Sequence, residues 1–325
     1  MNDVVGQSPG SGRITVVPDR LTVIVPVSER HDDLRTLHDD YRKALLTVEQ
    51  DLEFIYVLDG PKPQALQQLR ELRSRGEELI ILQFGKWFGE AAAISAGFSA
   101  SSGTWVMTLP SYYQVEPASI ADLWSSRKTS HMTVACRHPR AGSAWNRVLG
   151  RVFNALVRAI TGTQLSDLGC GARLMSRNVL EEIPIYGDQH RFLPVLASMR
   201  GFSVTEVPLA QSPRDLVHRP YGPGVFLRRI LDLVSVFFLA RFTKKPLRFF
   251  GLIGTAIALV GALWTSWLVV QRVFMDQGLG DRPALILAAL LITLGVQVFT
   301  LGLVGEIIIF THARDIREYA VEEVT

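Results

Sequence analysis

The sequence predicts an α/β protein: a mostly parallel sheet with flanking helices, followed by an interfacial helix and a two-helix transmembrane hairpin. Three observations carry that expectation. Short β-branched or aromatic runs alternate with helix-like segments from residue 21 to about residue 220. Two long apolar runs lie near the C-terminus. The composition also points to a mixed architecture. Of 325 residues, 48% are hydrophobic and 20% charged, with mean hydropathy +0.20. That is too apolar for an ordinary soluble domain and too charged for a chain that is all membrane.

Residues 1–20 are polar, with a Gly/Ser/Pro stretch at 6–12 and no basic-then-apolar pattern. They read as a disordered tail rather than a secretory signal. Strand-like runs follow at residues 21–27, 54–58, 79–84, 105–109 and 132–135, with helix-like segments at 31–49, 64–78 and 90–100. Their alternation is that of βαβ units in a cytoplasmic domain spanning 21–220. Neither GxGxxG nor a P-loop is present.

Residues 225–242 are mostly apolar but interrupted by Arg228, Arg229, Asp232 and Arg241. Within a juxtamembrane region 221–248, they read as a helix lying in the membrane interface, or else as a core helix of the domain. Residues 249–270 carry no charge, and residues 284–310 carry only Glu306. Each run reaches the roughly 20 residues that cross a hydrocarbon core, so 249–310 reads as two spans. Arg241, Lys244, Lys245 and Arg248 precede the first span; His312, Arg314 and Arg317 follow the second; the loop has Arg272 and Arg282. That bias puts the domain and the tail 311–325 in the cytoplasm, as in a multi-pass protein of the inner (cytoplasmic) membrane. Gly251, Gly254 and Gly261 would allow close helix contact, including association of copies into a homo-oligomer.

Net charge is +3, from 34 basic and 31 acidic residues, which is no nucleic-acid footprint. Two cysteines, Cys136 and Cys170, fit a reducing compartment and exclude a multi-thiolate metal site.

In open α/β sheets ligands sit beyond the carboxyl ends of the strands. Three such ends hold chemistry: Pro26-Val27-Ser28-Glu29-Arg30, Leu58-Asp59-Gly60-Pro61, and the stretch from Leu109 through Pro110, Tyr112, Tyr113, Gln114 and Glu116 to Pro117. Asp-Gly-Pro also reads as a plain turn. Further on, Arg137, Arg140, Arg147 and Arg151 form a basic cluster in which Arg147 and Arg151 share a helical face, with Arg158 extending it.

Together with the hairpin, these stretches resemble the family 2 glycosyltransferases of the GT-A fold. More narrowly, they resemble the membrane-bound polyprenyl-phosphate glycosyltransferases related to dolichol-phosphate mannose synthase. The similarity runs from about residue 21 to residue 306. Residues 25–30 resemble a PxYNE-like turn, and Leu58-Asp59-Gly60-Pro61 the DDGS turn with Leu58 at its first aspartate. Phe88-Gly89-Glu90-Ala91-Ala92-Ala93 and the residues to Phe98 resemble the NFG-x-x-AAL-x-AGL helix, and residues 167–174 the D-x-x-[ST]-G-x-R-L segment. Residues 245–251 and 302–306 resemble the family's entry to the first span and exit from the second. Where the family carries DAD-x-Q, this chain has Pro110 and Tyr112 at the aspartate positions; Gln114 matches and Glu116 follows.

The resemblance implies transfer of a sugar from a UDP- or GDP-linked donor to a polyprenyl phosphate. Pro26, Glu29, Asp59, Gln114 and Arg219 would contact the nucleotide sugar, with His218 and Tyr221 beside Arg219. Asp167 would stand near the donor sugar as a catalytic residue. Arg137, Arg147 and Arg151 would hold the lipid phosphate, which suits guanidinium geometry, with Arg147 also catalytic. The family's carboxylates hold a divalent cation, so Mg²⁺ or Mn²⁺ is implied. Here Gln114 and Glu116 are the candidate ligands; alternatively basic residues with the Tyr112 and Tyr113 hydroxyls replace the metal, or catalysis is lost. His190, after Asp188, offers a metal, structural or lid role.

A lipid phosphate is already an anion and can attack the anomeric carbon directly, so no strong general base is needed and inversion follows. A scaffold that binds nucleotide sugar or lipid phosphate in envelope polysaccharide assembly is the competing reading. A processive synthase fits poorly, since two spans are few for a channel and no QxxRW-like run occurs.

Overall fold

The computed structural model describes residues 20–139, 155, 165–183, 185, 187–218, 246–275 and 283–312. Arg140, Arg147, Arg151, Arg158, Arg219, Tyr221 and the run 225–242 lie outside the described residues.

The centre of the domain is β1 (Leu21–Val27), whose seven residues are all buried. A strand buried on both faces reads as a continuous apolar run, which is why this one is plain in the sequence. It pairs in parallel with β2 (Leu52–Leu58) and β4 (Trp105–Thr108), and β2 pairs in parallel with β3 (Leu79–Gln83). The seven-stranded sheet has the order β3-β2-β1-β4-β6-β5-β7. β6 (Arg173–Ser176) runs antiparallel to both neighbours, β4 and β5 (Met132–Arg137); β7 (Val204–Leu209) pairs in parallel with β5.

The last two strands are absent from the sequence expectation. β6 has four residues and begins with Arg173, so it shows no periodicity. β7 contains Glu206 and Pro208, which disguise it; an edge strand tolerates proline because one side of its ladder is unpaired.

Helix α1 (Leu34–Leu45) buries Leu34, Leu37, His38, Tyr41 and Leu45, a single stripe at helical spacing. It is shorter than the expected 31–49, because Asp33 takes the N-cap position and the chain turns after Leu45. Helix α2 (Pro63–Ser74) starts on a proline and stops short of the expected residue 78, because Gly76 takes the left-handed φ of +92° that closes a helix C-terminus. Helix α3 (Glu90–Ala100) has the expected bounds and packs on β1 and β2. Short helices α4 (Ala121–Ser125), α5 (Arg177–Glu182) and α6 (Leu193–Met199) cover the rest.

The hairpin comprises α7 (Pro246–Met275) and α8 (Pro283–His312), 30 residues each. At about 1.5 Å per residue each is roughly 45 Å long, enough to cross a bilayer. The two pack through small residues. A Cβ on Gly254 would stand 2.5 Å from Phe299 N, and one on Gly295 would stand 2.5 Å from Ala258 N. A Cβ on Gly261 would lie 2.9 Å from Ala288 O. The glycines expected to serve contacts between copies are thus taken up by the neighbouring helix of the same chain. Leu252, Leu263, Phe274 and Ile286 are 66–80% exposed, giving the hairpin an apolar exterior suited to lipid.

Candidate active site

The ends of β1, β2, β4, β5 and β7 meet at one edge of the sheet. Because β6 runs the other way, the loop that enters it, residues 165–172, arrives at that same edge. Reversal of one strand therefore brings Asp167 beside residues that close the parallel strands.

Asp59, at the end of β2, is 2% exposed, and both its oxygens accept backbone bonds, from Phe88 N at 2.7 Å and Gly89 N at 3.0 Å. Gly89 has φ +96°, a conformation that favours glycine, and directly precedes α3. The carboxylate thus braces the start of α3, leaving Trp87 and Phe88 exposed at the rim. Of the other residues expected at the nucleotide, Pro26 is buried in β1 and paired in register with Val57, while Glu29 is exposed.

Gln114 is 1% exposed. Its Nε2 donates to Gly169 O and to the Tyr112 hydroxyl, each at 3.2 Å, and its Oε1 accepts from Gly171 N at 2.7 Å. Both ends of the carboxamide offered to a metal or donor are engaged in pinning the loop that carries Asp167. Val115 bridges to Gln211, and Glu116 N donates to Ala210 O, which ties the same stretch to the segment after β7.

Arg137, the last residue of β5, forks onto Asp167: Nε donates to Oδ2 at 2.6 Å and Nη2 to Oδ1 at 2.8 Å. Its Nη1 donates to Asp215 Oδ2 at 3.3 Å, and all three side chains are buried. Burial works against the charged guanidinium, but Asp167 outweighs it and holds the Arg137 pKa above its usual value. Glu206 of β7 accepts from Ser166 N and Asp167 N, fixing the carboxylate from the other side. Arg137 and Asp167, expected on opposite substrates, are bound to each other.

Arg173 is buried, its guanidinium donating to carbonyls of Cys170, Leu168 and His190. Burial lowers its pKa, offset in part by Glu90. His190 Nε2 lies 3.4 Å from Glu90 Oε2, at the first turn of α3. Burial would raise the Glu90 pKa, but His190 prevails and holds the carboxyl below its usual value. Among the described residues no three His, Cys, Asp or Glu side chains converge on one point, so His190 has a carboxylate partner rather than a second ligand.

A profile described as "Glycosyl transferase family 2" matches residues 22–184, half of the chain. The chain belongs to glycosyl transferase family 2. It is a glycosyltransferase. A second profile, "GtrB C-terminal hairpin", matches residues 245–309, which include nearly all of α7 and α8. Among curated relatives, dodecaprenyl-phosphate galacturonate synthase of Rhizobium johnstonii is 27% identical over 301 residues, covering 91% of this chain and 89% of that one. An undecaprenyl-phosphate 4-deoxy-4-formamido-L-arabinose transferase of Pseudomonas aeruginosa is 29% identical over 291 residues, covering 89% and 84%. Glucosyl-3-phosphoglycerate synthase from Mycobacterium tuberculosis, solved with Mg²⁺ and uridine diphosphate, superposes with TM-score 0.51 at 14% identity over 69% of this chain and 79% of that one. At that identity the likeness concerns the GT-A-type fold.

In this glycosyltransferase the donor set after β4 does not suit a divalent cation. The Pro110 side chain has no donor atom, the Tyr112 side chain is a phenol, and the Gln114 carboxamide is engaged at both ends, which leaves half-buried Glu116 as the one carboxylate of the stretch, with no group of three acidic, His or Cys side chains around it among the described residues. Three buried or half-buried acids were missed from sequence: Asp215, Glu206 and Glu90. Asp215 lies four residues after Gln211, whose Nε2 donates to it at 2.6 Å, but only the placement of β7 beside β5 buries it against Arg137.

Proposed function

We propose that this glycosyltransferase moves a sugar from a UDP- or GDP-linked donor onto a polyprenyl phosphate at the cytoplasmic face of the inner membrane, inverting the anomeric centre. The observation that carries it is the continuous match, through domain and hairpin, to relatives whose names specify dodecaprenyl and undecaprenyl phosphate. The phosphate oxygen forms the new bond to the anomeric carbon. The bond from that carbon to the diphosphate breaks, and its electron pair leaves with the nucleoside diphosphate. No proton has to be removed from the nucleophile, so charge and position do the catalysis.

In this scheme Arg147 and Arg151 receive the lipid phosphate, Arg147 is also catalytic, and Arg219 contacts the donor. Pro26 and Glu29 line the nucleotide side. Asp59 shapes that side through the Phe88–Gly89 backbone. Gln114 positions the loop of Asp167, and the fork from Arg137 orients Asp167 toward the donor sugar. Arg137 then serves the lipid phosphate by positioning, because its own N–H groups are turned to carboxylates.

The test uses full-length protein in lipid nanodiscs with a short polyprenyl phosphate and a panel of UDP- and GDP-sugars, galacturonate and 4-deoxy-4-formamido-L-arabinose included. A prenyl-phosphate sugar is expected from at least one donor, and Arg147→Ala should abolish it. Nucleotide binding without product from any donor would instead favour the scaffold, a reading that the replacement of both family aspartates supports.

A further inference from the structure

Two adjacent tyrosines follow β4, and a guanidinium lies over each. Arg30 Cζ is 4.2 Å from the centroid of the Tyr112 ring, and Arg214 Cζ is 4.4 Å from that of Tyr113. The two arginines come from different loops, after β1 and after β7, and are tied together: Arg30 Nη2 donates to Arg214 O at 3.4 Å.

The platform beneath them is fixed. The Tyr113 hydroxyl donates to Asp40 Oδ2 at 2.6 Å, and its amide donates to Asp32 Oδ2 at 2.9 Å. The Tyr112 hydroxyl accepts from Gln114, and Ser111 Oγ donates to the Arg30 carbonyl at 2.7 Å. Stacking on a neutral ring immobilises a guanidinium without cancelling its charge, and leaves its in-plane N–H edge for an oxyanion. Arg137 differs, since carboxylates neutralise it. Among the described residues Arg30 has one carboxylate contact, to the shared Asp215, its Nη1 lying 3.6 Å from Oδ1. Five carboxylates share this edge with the three guanidiniums, and each already has a partner: Asp167 and Asp215 engage Arg137, Asp32 and Asp40 engage Tyr113, and Glu206 engages the Asp167 backbone.

The sequence departures meet in the same contact. Tyr112 stands where the resemblance has an aspartate, and Arg30 stands where the PxYNE-like turn has its glutamate. Acid has gone from one partner and charge has reversed in the other. A divalent cation beside Arg30 and Arg214 would be repelled by both.

We propose that Arg30 and Arg214, held on Tyr112 and Tyr113, grip the diphosphate of the nucleotide sugar and stabilise the departing nucleoside diphosphate in place of a divalent cation. This rests on the transfer reaction proposed above. As the bond from the anomeric carbon to the diphosphate oxygen breaks, that oxygen takes the electron pair and the two guanidiniums donate N–H bonds to it and its neighbours. The incoming phosphate oxygen supplies the new bond, and no proton or further reactant is consumed.

The test is calorimetry of the full-length protein in detergent with inorganic pyrophosphate, in excess EDTA. Pyrophosphate should bind. Arg30→Ala and Arg214→Ala should each weaken binding by about tenfold or more, as expected for loss of a charge-assisted hydrogen bond. Arg30→Lys should recover part of it, and Tyr112→Leu should weaken it by freeing Arg30. Arg214 is exposed, so its substitution leaves the fold intact, and unfolding midpoints check this for every variant. In Mn²⁺ titrations followed by electron paramagnetic resonance, pyrophosphate should add no protein-bound Mn²⁺. No binding in EDTA, binding that requires Mg²⁺ or Mn²⁺, or wild-type affinity in both alanine variants would overturn the proposal. The two readings fail separately: intact pyrophosphate binding without glycolipid counts against the acceptor, whereas glycolipid formation undiminished by Arg30→Ala counts against the arginine pair alone.

Discussion

The domain and the hairpin bury polar groups by opposite means. In the domain, charge goes inside and is matched by charge: Arg137 lies among Asp167 and Asp215, and Glu206 holds the backbone beside them. In the hairpin, backbone meets backbone at Gly254 and Gly295, and the lone acid, Glu306, accepts the Leu247 amide at 3.2 Å near the start of α7. One region is specified by electrostatic pairing, the other by the absence of side chains. The difference follows from the surroundings. At the strand ends each buried charge finds a charged partner and hydrogen bonds, whereas between apolar helices close packing is the main attraction available.

Removing one partner of the charge array should produce the largest effect. Arg137→Ala leaves two buried carboxylates without their guanidinium and is expected to cost about 3–5 kcal/mol, read as a lowered unfolding midpoint together with lost transfer. Arg137→Lys should not restore it, because a point charge cannot reproduce the fork onto Asp167. An unchanged midpoint in Arg137→Ala would show that electrostatic pairing does not specify this half of the domain.

The steric counterpart is Gly295→Leu. A side chain there meets Ala258 and the Gly254 carbonyl, so the helices must separate, at about 1–3 kcal/mol. Pyrophosphate binding by the domain should stay at the wild-type level while the detergent-solubilised protein loses thermal stability. Equal loss of both would mean that the two regions are not independent.

Glu306 tests whether the hairpin needs charge at all. Glu306→Gln keeps an acceptor for the Leu247 amide and should be nearly neutral, whereas Glu306→Ala should cost about 1 kcal/mol, typical of a lost cap. Matching losses in both variants would assign the carboxylate a role beyond that bond.

The smallest effect is one of pH. His38 is buried on α1, with Nδ1 3.0 Å from the Tyr56 hydroxyl. Burial lowers its pKa below the ordinary 6.5, only partly offset by Glu77. The unfolded chain therefore takes up the proton first, so this contribution is complete above pH 6.5 and declines as pH falls toward the depressed folded value. His38→Asn should flatten the fall of the unfolding midpoint between pH 7.5 and 5.5; an unaltered slope would remove His38 as its source.

Legibility in the sequence divides along the sheet. β1 to β5 were readable as β-branched or aromatic runs, β4 in only four residues, and α1 to α3 as the helical segments between them, α2 bounded by Pro63 and Gly76. β6 and β7 were not, because their order comes from partners distant in sequence. Glu206 and Pro208 look like loop residues until β7 lies beside β5. In the site, Asp59, Gln114, Arg137 and Asp167 stood out as residue types at strand ends. Their mutual bonds did not, since Gln114 reaches Gly171 across 57 residues and Arg137 reaches Asp215 across 78.

By itself the sequence determined the class of the domain, the two long apolar helices and the replacement of two acids by Pro110 and Tyr112. Periodicity, run length and residue chemistry are local properties, and local properties can be read without folding. Only the tertiary structure decided that Gly254 faces Gly295 rather than another copy, that Arg137 serves Asp167, and that Arg30 and Arg214 lie over the tyrosines after β4. Each of those pairings depends on which strands become neighbours and which way they run, and the reversal of β6 and the docking of β7 are set by packing across the whole sheet.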